Sequence, residues 1–337
     1  MNSNLKIFTN IGGVILAALV VGFLSAQAKF FLSRYHPSPI AKASTTDVEV
    51  DEEDPSFISG ISRVYNYTSS IDVETSDDAA IIPAITGPIT AQEYLVLDLH
   101  SGAILQNKDI DRVVPIASLS KLVTAEVSRQ LMASTTIVKI TDSILAAYGS
   151  NGHLREGEEI TTGDLLYPLF LVSSNDAAEA LAQGYPGGRK NFIRAMNDWV
   201  HSIGAYRTDF YDPSGLSPLS VSTARDQATI LEWLLKNDPA LMAITSMRSA
   251  SVGLHTWTNS THFMNLADYV GGKDGYIPEA GETADSLFST SIINEAANVA
   301  QAAVKNLQTP ARYLVIVLGS KNRDNDVLSL LKKAEGK

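Results

Sequence analysis

Strand-forming segments at both ends of one long stretch, with helix-forming segments between them, restrict the folds open to this chain more than any other feature. Tyr94-Leu-Val-Leu-Asp-Leu99 and Ala103-Ile-Leu105 flank His100-Ser-Gly102, and the pattern predicts a β-hairpin closed on a glycine turn. Tyr269–Tyr276 and Ser286–Ile292 read as strands, and Tyr313-Leu-Val-Ile-Val-Leu-Gly319 as a buried one. Between these groups, apolar residues recur at helical spacing over Ser118–Met132, Asn191–Ile203 and Thr223–Leu235. Thr162–Gln183 is helical too, with a break around Val172–Asn175. An alanine-rich stretch, Asn294–Gln308, predicts one more helix between the last two strands. Early and late strands must meet to bury their apolar faces. The expected class is therefore α/β in the α+β sense: one antiparallel sheet built from both ends of the domain, with a helical insert.

Upstream of the hairpin the composition changes. Ile11–Ala28 carries no charge and follows Lys6, and two readings of segment 1–34 stay open. It is a signal peptide with a cleavage site at Ser25-Ala-Gln-Ala28, or an uncleaved membrane anchor lengthened by Phe30-Phe31-Leu32. Lys29 and Arg34 follow the run and blur the charge asymmetry that would set its orientation. Residues 35–88 contain Asp47-Val-Glu-Val-Asp-Glu-Glu-Asp54 and predict an acidic, disordered tether, with Ser56–Tyr67 apolar enough to dock on the domain. A catalytic domain over 89–325, its helical lobe at about 140–250, and a C-terminal tail over 326–337 complete the expected layout. A net charge of −11 lacks the basic footprint that nucleic acid requires. Without cysteine the chain can form neither disulfides nor thiolate metal sites. Its six histidines are scattered with no His-Glu-x-x-His pair, so no metal or cofactor is expected.

Ser118 and Lys121 stand three positions apart on one helical face, where an amine can reach a hydroxyl. A lysine that is desolvated and held beside a second cation loses its proton near neutral pH and can then deprotonate the serine. At the helix start, Ser118 also sits where backbone amides and the dipole favour a developing negative charge. Solvated helix starts produce Ser-x-x-Lys without any such chemistry, so the pair gains meaning from its company. Two segments supply it: Ser173-Ser-Asn175 at the helical break, and Lys273-Asp-Gly275 on a predicted strand. Read singly, each has a plainer use. Ser173 and Asn175 would cap a helix beginning near Asp176, and Lys273 would be a solvated strand lysine. Pro213-Ser-Gly215 would be a turn, and Arg225-Asp226 a helix start.

In order, Ser-x-x-Lys, Ser-x-Asn and a near Lys-Thr-Gly form the motif set of penicillin-binding proteins and class A β-lactamases. The flanks narrow this: Pro115-Ile-Ala-Ser-Leu-Ser-Lys-Leu-Val-Thr-Ala125, Gly163-Asp-Leu-Leu-Tyr-Pro168, Asp212-Pro-Ser-Gly-Leu216, Ser222-Thr-Ala-Arg-Asp226 and Gly271-Gly-Lys-Asp-Gly-Tyr276. From about Ala91 to Asn322 the chain resembles the low-molecular-mass D-alanyl-D-alanine carboxypeptidases and endopeptidases. That resemblance implies a β-lactamase/transpeptidase-like fold, a five-stranded antiparallel sheet flanked by helices, with the site at its seam with an all-helical lobe. It implies an extracytoplasmic enzyme of the bacterial cell envelope, a serine-type carboxypeptidase acting on peptidoglycan stem peptides, or an endopeptidase of its cross-links. β-Lactams would be its covalent inhibitors. Carried over residue by residue, Ser118 would be the nucleophile, Lys121 its base, and Ser173 the relay to the leaving amine. Asn175 would bind the substrate amide, and Lys273 would depress the pKa of Lys121. The backbone amides of Ser118 and of Tyr276, which follows Gly275, would hold the oxyanion. No Glu-x-x-x-Asn segment like a β-lactamase deacylating loop is present.

One residue departs from the pattern. Asp274 stands where the family usually has threonine, whose hydroxyl donates to the substrate's terminal carboxylate. An ionised aspartate only accepts hydrogen bonds and repels a carboxylate. A wall-binding protein without turnover is the reading this substitution raises, and Lys321 or Arg323 are the cations placed to offset it.

Overall fold

The computed structural model describes residues 87–149, 151–266, 268–289 and 311–334. The N-terminal run, the tether up to residue 86 and the helix expected over 294–308 lie outside them. No helix among the described residues is long and apolar enough to cross a membrane.

Five strands, β1 (Glu93–Asp98), β2 (Ala103–Lys108), β3 (Tyr269–Ile277), β4 (Gly281–Phe288) and β5 (Tyr313–Ser320), form one antiparallel sheet in the order β2-β1-β5-β4-β3. The two ends of the domain meet at its centre, where Glu93 lies opposite Leu318 and Asp98 opposite Tyr313. The unbroken apolar run of β5 has a simple cause. Leu314, Ile316 and Leu318 join Leu95, Leu97 and Leu287 in a core shared with the helical insert. Val315 and Val317 join Val96, Ala284 and Phe288 in a second core on the opposite face. A strand covered on both sides has no polar side to show.

The insert between β2 and β3 holds α1 (Ser120–Leu131), α2 (Asp142–Leu145), α3 (Leu166–Leu171), α4 (Asn175–Gly184), α5 (Gly188–Ser202), α6 (Ala224–Asn237) and α7 (Pro239–Thr245). The antiparallel sheet with a helical insert matches the expected α+β architecture. Thr223 caps α6 by accepting from Asp226 N, so Arg225 and Asp226 do open a helix.

Two expectations are corrected. β4 begins at Gly281, five residues before the predicted strand, because buried polar residues (Thr283, Asp285) break the apolar alternation that marks a strand. The expected tail over 326–337 instead contributes to a packed helix, α8 (Arg323–Ala334). Val327, Leu328, Leu330 and Leu331 bury against the second core. Asp324 and Asp326 in the first turn and Lys332 and Lys333 in the last complement its dipole. Asp326 also accepts from Thr90 N (2.9 Å), Thr90 Oγ1 (2.8 Å) and Ser320 Oγ (2.6 Å), tying α8 to the start of β1 and the end of β5.

Candidate active site

Ser118 lies in a 3₁₀ turn, Ala117–Leu119, that leads directly into α1. Ala117 has φ +50°, a left-handed conformation that a residue with a Cβ adopts only when its surroundings impose it. They do. Thr283 Oγ1 on β4 donates to Ile116 O (3.1 Å), and Ser120 Oγ to Ala117 O (3.0 Å). Gly215, itself at φ +80°, comes so close that a Cβ there would lie 1.8 Å from Ala117 O.

Lys121, fully buried on the first turn of α1, directs its Nζ at three oxygens: Ser118 Oγ (2.8 Å), Asn175 Oδ1 (2.7 Å) and Ser214 O (2.8 Å). Two of them can only accept. The Ser214 carbonyl has no proton, and Asn175 is held with Oδ1 inward because its Nδ2 donates to Tyr148 O (2.7 Å). A neutral Lys121 keeps two N–H donors and one lone pair, so the lone pair falls on the only partner that carries a proton, the Ser118 hydroxyl. The site therefore orients a base as well as holding it. Asp212 fixes the Ser214 carbonyl: its carboxylate accepts from Ser214 N (2.7 Å), Gly215 N (2.6 Å), Leu216 N (3.1 Å) and Ser217 N (2.7 Å). Thr124 Oγ1, one turn along α1, donates to Pro213 O (2.5 Å) and locks the loop to the helix.

Burial drives the Lys121 amine well below its ordinary range, and the Lys273 charge adds to this against the carboxylates of Asp212, Asp176 and Asp274. Lys273, on β3, is also lowered by burial, but Asp274 holds it: its Nζ donates to Asp274 O (2.6 Å) and Oδ1 (3.2 Å). Burial pushes the Asp274 carboxyl up, yet the charges of Lys273 and Arg323 more than offset it and keep Asp274 below the usual carboxylate range. Arg323 sits at the first position of α8 with its guanidinium 3.6 Å from Asp274 Oδ2.

The fold thus brings Ser118, Lys121 and Asn175 into direct contact. Ser173 precedes Asn175 on the same turn with φ +53°, and the three Lys121 bonds do not include it. Capping of α4 falls to Ser174, which accepts from Ala177 N (2.9 Å). Gly275 abuts the 3₁₀ turn, since a Cβ there would lie 2.6 Å from Ser118 N, and Tyr276 beyond it is largely exposed. Pro213-Ser-Gly215, read from sequence as a plain turn, proves to be part of the site. A backbone carbonyl leaves no side-chain signature; the only available hint was Asp212 ahead of three small or turn-forming residues.

A family profile described as D-alanyl-D-alanine carboxypeptidase matches residues 79–302. The chain belongs to that family. Among its relatives, the D-alanyl-D-alanine endopeptidase of Pseudomonas aeruginosa is 36% identical over 169 residues, 48% of this chain and 54% of the relative. The D-alanyl-D-alanine carboxypeptidase DacA of Haemophilus influenzae is 31% identical over 222 residues, 61% of this chain and 56% of the relative. The chain thus spans a little over half the length of these curated relatives. The crystal structure of a D-alanyl-D-alanine carboxypeptidase from Mycobacterium tuberculosis superposes with a TM-score of 0.62 at 26% identity, covering 76% of this chain and 96% of that one.

Proposed function

We propose that this chain is a serine-type D-alanyl-D-alanine carboxypeptidase that trims peptidoglycan stem peptides in the cell envelope through an acyl-enzyme on Ser118. One observation carries the reading: a buried lysine whose other two partners leave its lone pair a single direction, towards Ser118 Oγ at 2.8 Å. Neutral Lys121 takes the Ser118 proton as Oγ bonds to the scissile carbonyl carbon. The oxyanion is held by the backbone amides of Ser118 and Tyr276. The carbon–nitrogen bond then breaks, the proton on Lys121 passes by way of Ser173 to the departing amine, and an ester remains on Ser118. Water hydrolyses that ester, giving one proton to Lys121, which returns it to Ser118. Asn175 binds the substrate amide, and Lys273 keeps the Lys121 amine easy to deprotonate. A β-lactam enters at the acylation step, with its ring nitrogen as the leaving group. The uncharged run over residues 11–28 supports export or anchoring at the membrane.

Cleavage of cross-links is the second reading, favoured by Asp274, whose charge opposes peptides ending in a free carboxylate. Labelling with a fluorescent penicillin tests the common mechanism. The adduct should map to Ser118 and vanish in Ser118→Ala and Lys121→Ala; an adduct on Ser120 or Ser173 would overturn the assignment.

A further inference from the structure

An open cleft of about 590 Å³ lies against the loop that holds Lys121, within the range of about 300–1,000 Å³ usual for small-molecule sites. Ser214 belongs to both: its carbonyl accepts from Lys121 Nζ (2.8 Å), and the residue forms part of the cleft wall with Tyr211 and Leu216. Ala146 and Ala147, just after α2, line the cleft as well. One residue further on, the carbonyl of Tyr148 takes the bond from Asn175 Nδ2 (2.7 Å). The cleft thus adjoins the site at two places, yet neither Ser118 nor Lys121 lines it.

Its polar wall is fixed and matched in charge. Arg189, on the first turn of α5, donates Nε (2.8 Å) and Nη2 (2.9 Å) to the two carboxylate oxygens of Glu179 on α4, a planar fork in which the charges cancel. Arg189 Nη1 has no partner among the described residues and is left to donate. Gln183, one turn along α4, is held by Ser143 Oγ (2.9 Å to its Oε1). Beside these groups Tyr211 leaves 58% of its surface exposed, and Leu216 and the two alanines add aliphatic surface. A charged ligand would be opposed by one member of the fork whichever its sign. A neutral ligand suits the wall if it has C–H faces for the aromatic ring and hydroxyl and amide edges for the fixed polar groups. N-acetylated amino sugars are built that way. The stem peptides of the proposed substrate are borne on a chain of such sugars. Extended peptide advances roughly 3.3–3.6 Å per residue, so a few residues of stem set the sugar beside the nucleophile and not on it.

We infer that this cleft is a glycan subsite, which holds an uncharged N-acetylated amino-sugar unit of the polymer that bears the stem peptide, with Tyr211 as its stacking face. This rests on the peptidase reading above and adds to it a second point of substrate contact. The test uses the full-length protein, with chitotetraose, a peptide-free chain of N-acetylglucosamine, as the binding probe. Calorimetric titration should show binding to wild type and about tenfold weaker binding to Tyr211→Ala, the factor expected for one buried ring face, while Tyr211→Phe keeps it. On polymeric peptidoglycan, kcat/KM for D-alanine release should fall about tenfold in Tyr211→Ala. On a short N-acylated D-Ala-D-Ala peptide, and in penicillin acylation of Ser118, the same variant should change by less than about twofold. Gln183→Ala, which lies outside the loop, should also weaken chitotetraose binding and carries the test if Tyr211→Ala does not fold. No binding to wild type, binding unmoved in both alanine variants, or equal losses on polymer and short peptide would overturn the inference. If penicillin still acylates Ser118 in that case, the peptidase reading stands alone. If chitotetraose binds through Tyr211 but no penicillin adduct forms, the peptidase reading falls and the sugar site remains.

Discussion

Replacing Asp285 with valine should stabilise the protein, and more so as pH rises. Asp285 lies on β4, fully buried, in register with Lys273 on β3 and Ile316 on β5. Neither carboxyl oxygen has a hydrogen-bond partner among the described residues. Burial drives the carboxyl well above the usual range, opposed only in part by Lys273. An unsatisfied buried polar group costs about 1–3 kcal/mol, and valine fills nearly the same volume with nothing to satisfy. For a domain of this size that corresponds to a rise in Tm of roughly 2–12 °C. The sign with pH follows from linkage. A carboxyl whose folded pKa is raised contributes its full share below the unfolded pKa, about 4, and loses it as pH climbs towards the folded value. The gain from Asp285→Val should thus be smallest near pH 4.5 and larger at pH 8, in thermal unfolding at both. A lower Tm in the variant would refute the reasoning. It would mean that Asp285 is an ionised partner of Lys273, whose removal strands a buried cation at about 3–5 kcal/mol.

Three further outcomes are expected. Lys273→Gln removes a charge that lowers the Lys121 amine, so the acid limb of β-lactam acylation against pH should move to higher pH; an unmoved limb would separate the two lysines. Gly275→Ala puts a Cβ 2.6 Å from Ser118 N and should slow acylation by about 100-fold in a protein that still unfolds cooperatively, as read by stopped labelling and calorimetry. Glu126, buried on α1 and pushed up to about 7 by burial against its bond from Gln130, contributes stability that is full below about pH 4 and lost as pH rises through 7; Glu126→Gln should flatten the Tm-against-pH curve across that window.

Much of this arrangement was legible in the sequence because it depends on local spacing. Ser118 and Lys121 meet because the 3₁₀ turn runs straight into α1 and keeps residues three apart on one side, and Ser173 and Asn175 fall at a visible break between two helical runs. The central strand was legible because both of its faces are covered, and the hairpin because its glycine turn stands between alternating runs. What escaped were features that depend on distant partners. The carbonyl of Ser214 is 93 residues from Lys121 in sequence and belongs to the backbone. Thr283 and Asp285 look like loop residues until Ile116 and Lys273 are placed beside them. The helix after β5 was readable in principle, from its acidic first turn and basic last turn, but it is short and Asp-rich at its start, where a solvated tail looks the same.

The two buried lysines make the point about chemistry that spacing cannot reach. Both stand in motifs, and both are lowered by burial. Their partners separate them. The hydrogen-bond partners of Lys121 are all uncharged, so it can give up its proton without stranding a counter-ion. Lys273 is tied to an ionised Asp274, and deprotonating it would leave a carboxylate at the site with its nearest cation gone. A lysine among neutral acceptors is free to cycle between amine and ammonium, while one paired with a carboxylate is held charged. Asp274 therefore keeps Lys273 a standing cation, and that charge lowers the Lys121 amine.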